Sequence, residues 1–223
     1  MKFNFDDVYE IESGASHKKI YRFKNNNEGK IIVDFSYKYN DYLSFLEINN
    51  FLSMINISVP KIFDTDDTNC VIIMEDFGNI RYDKLINSID PKDILIDAIN
   101  SLIEIHKAQK PTVNKFFKKY DFSYFTVEIA EFADFYLSKK NIGKDVVDEF
   151  FYIWKSEFEN LNFNWDSFVH KDFELSNLMH LSQRDGHLKC GILDFQNAFI
   201  GFSGWDVFSL LENPRIYFDD KYN

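Results

Sequence analysis

The chain has 223 residues, 45% of them hydrophobic, which is enough for a sizeable core in one large or two small domains and excludes a disordered protein. Its formal net charge of −11 argues against a nucleic-acid partner, because phosphate binding needs a concentrated basic surface. The N-terminal segment MKFNFDDVYE has no apolar signal region, and no stretch reaches the roughly 18 apolar residues of a membrane span, so we expect a cytoplasmic protein without membrane contact.

The N-terminal third of the chain reads as strands with one helical interruption. Short β-branched or aromatic runs between turn-forming segments predict a small antiparallel sheet. The predicted strands are Val8–Ile11, Lys19–Phe23, Lys30–Phe35, Ile62–Phe63 and Cys70–Met74. Between the third and fourth strands, apolar residues recur at a helical spacing, which predicts a helix over Asp41–Met54 that Val59 and Pro60 then stop. Cys70 and Cys190 lie in apolar runs and are expected to be buried free thiols.

Helical periodicity dominates after Gly78. Asp90 and Pro91 form a start signal, because Asp caps a helix and the missing N–H of Pro costs nothing at the first helical position. Further helices are predicted over Phe122–Leu137 and Val146–Phe158. We therefore expect an N-terminal lobe of residues 1–77 and a mainly helical C-terminal lobe of residues 78–223.

Strands return near the C-terminus and carry a group of polar residues. Short strands are predicted over Phe168–Val169, Leu178–Leu181 and Leu188–Asp194, the last two joined by the polar turn SQRDG. The first strand leads into HKDFELSN, which places His170, Asp172 and Asn177 close together between apolar strands, and the third strand ends at Asp194.

These polar residues have the chemistry that phosphoryl transfer requires. Such a site needs oxygen ligands for a metal ion, here Asn177 and Asp194, and one carboxylate, here Asp172, that orients the attacking hydroxyl. Taken singly, Asp172 and Asn177 could be turn residues and His170 a structural histidine. The combination of His-x-Asp-x4-Asn with an apolar strand that ends in Asp-Phe favours the phosphotransfer interpretation.

The chain resembles a known family most clearly in two segments, VHKDFELSNLM and GILDFQNAFIGFSGWDVFSLL. They resemble the aminoglycoside phosphotransferase and choline kinase superfamily, small-molecule relatives of the protein kinases. Within it, LDFQNA and SLLENPRIY are most similar to the sugar kinases that act on N-acetylmuramate and N-acetylglucosamine. The resemblance extends along the chain, with ESGASHKKIYRF at the phosphate loop, IIMEDFG at the hinge and EFADFYLSKK at a helix common in that subgroup.

The resemblance implies a fold, a reaction and site residues. The fold would be a protein-kinase-like α+β fold of two lobes. The reaction would transfer the ATP γ-phosphoryl group to a hydroxyl of a small molecule, with the anomeric hydroxyl of an amino sugar as the expected acceptor. The implied roles are a catalytic base at Asp172, magnesium ligands at Asn177 and Asp194, phosphate contacts at Ser13, Gly14 and Ser16, adenine contacts around Glu75 and Phe77, and a loop-bracing carboxylate at Asp206.

Three features depart from the family pattern. The phosphate loop has one glycine, Gly14, and would also suit a plain hairpin turn. The strand that should carry a nucleotide-binding lysine ends instead in Asp34, which leaves Lys30, Lys18 or Lys19 as candidate cations. Glu47 on the following helix is the candidate for the family's helix glutamate, although without that lysine it is better read as an exposed acid. The chain also ends at NPRIYFDDKYN, where such relatives continue with further helices, so we expect a fragment or a shortened form.

Other classes of protein remain as alternatives. The main one is a catalytically impaired, kinase-like binding module that senses nucleotide or docks a partner, favoured by the missing lysine and opposed by the intact Asp172, Asn177 and Asp194. A zinc site would need a second close ligand pair beside His187 and Cys190. A hydrolase nucleophile is excluded because GFSGW has its second glycine one residue too early.

Overall fold

The computed structural model describes residues 7–11, 18–24, 29–108, 117–140, 142–212 and 216. The strands are β1 Val8–Ile11, β2 Lys19–Phe23, β3 Lys30–Asp34, β4 Ile62–Asp66, β5 Val71–Glu75, β6 Ser167–Val169, β7 Leu178–His180, β8 Cys190–Ile192 and β9 Phe199–Gly201. The α-helices are α1 Tyr39–Met54, α2 Tyr82–Leu85, α3 Pro91–Lys107, α4 Phe122–Phe132, α5 Lys144–Asn160 and α6 Trp205–Leu211.

The N-terminal strands form a five-stranded antiparallel sheet in the order β1-β2-β3-β5-β4. Side chains alternate between its two faces, as the period of two requires. The inner face contributes Ile31 and Val33 to the main hydrophobic cluster, whereas Ile32 of the same strand lies in a small separate cluster on the outer face. The predicted sheet is confirmed, with each of its five strands at the expected place in the chain.

Helix α1 covers the inner face of the sheet and connects it to the C-terminal strands. Its buried residues include Phe45, Ile48 and Leu52, and Phe45 stacks on Phe195 with 4.8 Å between ring centroids. Because Phe195 directly follows Asp194, this aromatic pair joins the N-terminal sheet layer to a residue of the predicted site.

Helix α3 begins where the start signal predicted it. The Asp90 side chain accepts a hydrogen bond from the backbone N–H of Lys92 at 3.0 Å, and Pro91 is the first helical residue. The helix buries one face, which consists of Ile94, Leu95, Ala98, Ser101, Leu102 and Ile105. Asp90 thus stabilises the helix end while apolar burial holds the helix in place.

Helices α4 and α5 contact each other mainly through aromatic rings. Phe125 stacks on Phe158 at 5.3 Å and meets Trp154 edge-on at the same distance. The predicted helix over Phe122–Leu137 is regular only to Phe132 and continues as a π-helical stretch to Leu137, while α5 is two residues longer at each end than predicted.

Strands β7 and β8 are shorter than the sequence pattern indicated. The predicted strand over Leu188–Asp194 is wrong at both ends, because a 3₁₀ turn precedes β8 and Asp194 adopts a left-handed conformation with φ of 63°. Strands β7 and β8 pair with each other, and β6 pairs with β9. Strand β9 and helix α6, which the apolar pattern did not predict, complete this region.

One hydrophobic cluster runs through most of the described structure. It includes Ile72 from the sheet, Ile48 from α1, Leu102 from α3 and Ile192 from β8.

Cys70 and Cys190 are buried free thiols, as expected. The division into residues 1–77 and 78–223 stays a prediction. Within the described ranges, no helix combines the length and apolar character needed to cross a membrane.

Candidate active site

The loop after β6 holds Asp172 and Asn177 together through its own backbone. The carbonyl oxygen of Asp172 accepts the N–H of Glu174 at 2.9 Å and the side-chain Nδ2 of Asn177 at 2.9 Å. Since the Asn177 amide donates through nitrogen, its Oδ1 is the atom left to act as a ligand. The loop therefore sets the orientation of the amide before any ligand binds.

Asp194 is joined to this loop by the strand that leads to it. The N–H of Leu193 donates to the carbonyl oxygen of Asn177 at 3.0 Å, which places Asp194 next to the end of the loop. Its carboxylate Oδ1 accepts Nε2 of Gln196 at 2.9 Å and is ion-paired with the ammonium of Lys18. The left-handed backbone of Asp194 is an uncommon conformation for a residue with a side chain, and such conformations are concentrated at functional sites.

The carboxylates of Asp172 and Asp194 are close enough for the charge of one to affect the pKa of the other. Burial raises the pKa of Asp172; the charge of Lys171 opposes this shift, and the negative charge of Asp194 adds to it. Burial alone would also raise the pKa of Asp194, but the charge and hydrogen bond of Lys18 bring it below its usual value. The structure thus brings Asp172, Asn177 and Asp194 into one site, with Asp172 the more basic carboxylate.

His170 and Asp206 brace the loop from behind. The buried carboxylate of Asp206 accepts the backbone N–H groups of His170 at 2.8 Å and Lys171 at 3.1 Å, and burial raises its pKa to about 7. The His170 ring meets the carbonyl oxygen of Leu193 through Nε2 at 2.9 Å, so in the neutral ring Nε2 carries the proton and donates. His170 therefore connects the loop to the strand of Asp194, which is a structural role.

His170 makes stability depend on pH. Burial lowers its pKa from 6.5 to about 4, and Nδ1 is buried without a hydrogen-bond partner in the described part of the chain. As the pH falls, His170 is protonated in the unfolded chain before it is protonated in the folded protein. The contribution of neutral His170 to stability is therefore fully present above pH 6.5 and is lost as the pH falls towards 4. At about 1.4 kcal/mol per pH unit, the free energy of unfolding of wild type should fall by up to about 3 kcal/mol relative to that of His170→Gln over this range. Urea unfolding of both proteins from pH 4 to 7.5 measures the difference, and parallel curves would contradict it.

Lys171 and its partners were not predicted from the sequence. Lys171 has φ of 83°, and its carbonyl oxygen accepts Nε1 of Trp205 at 3.0 Å and Oγ of Ser209 at 3.2 Å. Its ammonium donates to Glu128 Oε1 at 2.6 Å, while the hydroxyl of Tyr120 donates to the other oxygen of Glu128 at 2.6 Å. Glu128 comes from α4, so this ion pair connects that helix to the residue before Asp172. In the sequence, Glu128 looks like any acidic residue on a helix, so its pairing with Lys171 could not be predicted.

The predicted hinge is held by two arginines. Arg184 donates to Glu75 Oε1 at 2.6 Å, and its guanidinium lies 5.1 Å from the ring centroid of Phe77. Arg22 donates to the carboxylate of Asp76 at 2.7 Å and to the carbonyl oxygen of Gly78 at 3.1 Å. The side chain of Glu75 is therefore engaged within the protein, and the backbone N–H groups of Glu75 and Asp76 donate to the carbonyl oxygens of Lys61 and Gly29 at 2.8 Å.

The candidate cations Lys30 and Lys18 lie on opposite faces of the sheet. Lys30 shares the outer face with Ile32, and its ammonium lies 5.1 Å from the ring centroid of Phe63. Lys18 lies on the inner face and meets Asp194. No ion pair of Glu47 is present within the described part of the chain. The predicted phosphate contacts Ser13, Gly14 and Ser16 lie outside the described residues.

The donor atoms at this site fit a magnesium ion. Asn177 Oδ1 and the Asp194 carboxylate are hard oxygen ligands, the type that Mg²⁺ prefers. A further oxygen, Oε1 of Gln196, is buried beside them and has no hydrogen-bond partner in the residues that the structure describes. Over the same residues, no three His, Cys, Asp or Glu side chains form a group that could hold a metal ion. Nε2 of His187 donates to the carbonyl oxygen of Asn56 at 3.0 Å.

Comparison with solved structures shows the fold. The aminoglycoside phosphotransferase APH(2")-IIa, in a ternary complex with streptomycin and ATP, aligns with 92% of this chain and 70% of its own, with a TM-score of 0.66 and 16% sequence identity. The ADP-bound aminoglycoside phosphotransferase APH(2'')-Ib aligns over the same shares with a TM-score of 0.64 and 17% identity. The predicted kinase-like α+β fold is thereby confirmed.

Sequence comparison gives the family. An N-acetylmuramate/N-acetylglucosamine kinase of Caulobacter vibrioides is 26% identical over 194 residues, which cover 77% of this chain and 50% of that protein. A protein of the same description from Neisseria meningitidis serogroup B is 25% identical, covering 80% and 52%. The chain thus spans about half the length of the curated relatives it matches. Because the family model described as "Phosphotransferase enzyme family" matches residues 7–222, nearly the whole chain, the protein belongs to the phosphotransferase enzyme family.

Proposed function

We propose that this chain carries the site of an ATP-dependent phosphotransferase, which moves the γ-phosphoryl group to a hydroxyl of a small molecule. The observation that carries the proposal is the backbone connection of Asp172, Asn177 and Asp194, in which the Asn177 amide bonds to Asp172 and Leu193 bonds to Asn177. Phosphoryl transfer depends on positioning and charge stabilisation; this arrangement would supply the positioning, and a divalent ion bound to it would supply the charge stabilisation.

Each residue has a role that follows from its environment. Asp172 would accept the proton of the attacking hydroxyl, and its raised pKa makes it a better base than an exposed aspartate. Asn177 and Asp194 would hold magnesium, which when bound would offset the charge of the phosphates. The backbone around Glu75 and Phe77 would take the adenine, and Ser13, Gly14 and Ser16 stay the proposed phosphate contacts.

The acceptor that we propose is an amino sugar, and the reacting group its anomeric hydroxyl. The support is that relatives covering 77% to 80% of the chain are described as N-acetylmuramate/N-acetylglucosamine kinases. Aminoglycosides form the second acceptor class, since structural neighbours bind streptomycin and gentamicin and amino sugars are building blocks of these compounds.

The test follows ADP release from magnesium-ATP in the presence of N-acetylmuramate, N-acetylglucosamine or an aminoglycoside. We expect turnover with a free N-acetylated sugar and none with its 1-O-methyl glycoside, because the methyl group blocks the anomeric oxygen. Equal turnover with the glycoside would remove the anomeric assignment. Absence of turnover with every acceptor would contradict the phosphotransferase proposal for this chain.

A kinase-like binding module is the second candidate. The observation that favours it is the ammonium of Lys18 on the Asp194 carboxylate, at the place where a metal would bind. Thermal unfolding separates the two candidates: a binding module responds to ATP alone, whereas the proposed enzyme should gain additional stability when magnesium accompanies ATP.

A further inference from the structure

Lys18 lies in an unusual environment for a lysine. Only 11% of its side chain is exposed, and its ammonium is paired with Oδ1 of Asp194. Lysines are seldom buried unless they are paired with an acid. The next residue, Lys19, is exposed, which makes it the natural comparison. Lys18 is therefore a part of the site, although it is 176 residues away from Asp194 in the sequence.

The inner face of β2 connects Lys18 with the hinge. Because strand side chains alternate, Lys18, Ile20 and Arg22 lie on one face of the sheet. Ile20 packs against the main hydrophobic cluster, and Arg22 donates to Asp76 of the hinge. A strand rises about 3.3 Å per residue, so Lys18 and Arg22 are roughly 13 Å apart along it. This face thus extends from the proposed adenine contacts to the proposed metal ligands, the direction in which a nucleoside triphosphate would lie.

The carboxylate of Asp194 cannot pair with the Lys18 ammonium and bind a divalent metal ion at full strength at the same time. Its Oδ1 already accepts Lys18 and Gln196, and a divalent ion would compete with the Lys18 ammonium for the same negative charge. Lysine is a compact point charge on a long stem, suited to moving between neighbouring anions. A triphosphate that enters beside Lys18 would provide such an anion and leave Asp194 to the metal ion that accompanies it.

We propose that Lys18 is the phosphate-binding cation of this protein, and that it exchanges partners, from Asp194 in the nucleotide-free state to the nucleotide phosphates in the magnesium complex. The inference rests on the proposed function, because it requires a nucleotide in this site. It assigns to Lys18, the residue just before β2, the role of the nucleotide-binding lysine that β3 replaces with Asp34. It also predicts that Lys18 excludes divalent metal from Asp194 until nucleotide binds.

The first test measures divalent metal binding without nucleotide, using Mn²⁺ and the electron paramagnetic resonance signal of the free ion. Wild type should bind Mn²⁺ weakly, and Lys18→Met should bind it at least about tenfold more tightly, because the carboxylate has lost its internal cation. Lys19→Met, which removes the neighbouring exposed lysine, should behave as wild type. An unchanged Mn²⁺ affinity in Lys18→Met would overturn the exclusion of metal by Lys18.

The second test measures nucleotide affinity by calorimetry. Lys18→Met should bind magnesium-ATP at least about tenfold more weakly than wild type and Lys19→Met, while AMP, which lacks the β- and γ-phosphates, should bind all three within about twofold. Should Lys18→Met fail to fold, Lys18→Gln retains a hydrogen-bond donor for Asp194 without the charge and carries the same expectations. Wild-type affinity for magnesium-ATP in the folded Met or Gln variant would overturn the assignment of the phosphate cation.

The two tests separate this inference from the proposed function. If wild type binds no magnesium-ATP, the proposed function fails, and the exchange of partners fails with it. If wild type binds magnesium-ATP and Lys18→Met binds it equally well, only the inference about Lys18 fails. If both the Mn²⁺ and the nucleotide affinities change as stated, the exchange at Asp194 is supported.

Discussion

Replacing Asp172 with asparagine should reduce phosphoryl transfer by about 10²- to 10⁴-fold, the range typical of a lost general base. Asparagine has nearly the same shape, but it cannot accept the proton of an attacking hydroxyl. The carbonyl oxygen of Asp172 accepts Glu174 N–H and Asn177 Nδ2, and both bonds use the backbone, so the loop geometry should survive the substitution. The expected loss is therefore chemical.

The stability of Asp172→Asn provides the internal check. Burial raises the pKa of Asp172, which means that the protein holds its charged form at a cost, and the neutral amide should be as stable as wild type or slightly more so. ADP release measures activity, and urea unfolding measures stability. Glu174→Gln, which neutralises an acid two residues away on the same loop, is the matched control and should keep most of the activity. Full activity in Asp172→Asn would remove this residue from the role of base.

Replacing Asp206 with alanine should destabilise the protein by about 2–4 kcal/mol. The substitution leaves the buried N–H groups of His170 and Lys171 without their acceptor, and each unsatisfied buried donor costs about 1–3 kcal/mol. Part of this loss is offset, since burial of the carboxylate is itself unfavourable and raises the pKa of Asp206 to about 7. The free energy of unfolding in urea at pH 7 measures the net effect.

The same substitution should also lower turnover, because Asp206 holds the backbone just before Asp172. Asp206→Asn keeps one acceptor oxygen, and we expect it to lose less stability than the alanine variant. Glu157→Ala, which removes an exposed acid from α5, is the control and should change the free energy of unfolding by less than about 0.5 kcal/mol. If Asp206→Ala unfolded at the urea concentration of wild type and kept its turnover, the bracing role would be wrong.

The candidate site was predicted in part because its central residues lie close together in sequence. Asp172 and Asn177 share one short loop, and a strand of apolar residues leads to Asp194, so spacing and residue type carried the information. The same local signals located the sheet and the start of α3 at Asp90. The strand before Asp194 was predicted too long, since apolar residues also suit the 3₁₀ turn that precedes β8.

Other parts of the site have no local signal. Glu128 comes from a helix 43 residues before Lys171, and Arg184 reaches the hinge from a turn 109 residues after Glu75. In the sequence each of them is an ordinary charged residue. Their contribution exists only because the fold places an opposite charge within hydrogen-bonding distance in a half-buried position, where such pairs count for more than they do in water.

An aspartate, an asparagine and a second aspartate, at spacings that place them on a loop and near a strand end, were enough to predict phosphoryl transfer from the sequence. Apolar periodicity, a local property of the chain, also predicted most of the strands and helices, although it missed β9 and α6. Which of the three lysines lies in the site depends on the tertiary structure. Lys18 and Lys19 are neighbours in sequence, but side chains alternate between the two faces of a strand. The pairing of β2 in the sheet therefore places Lys18 beside Asp194, whereas Lys19 is exposed to solvent.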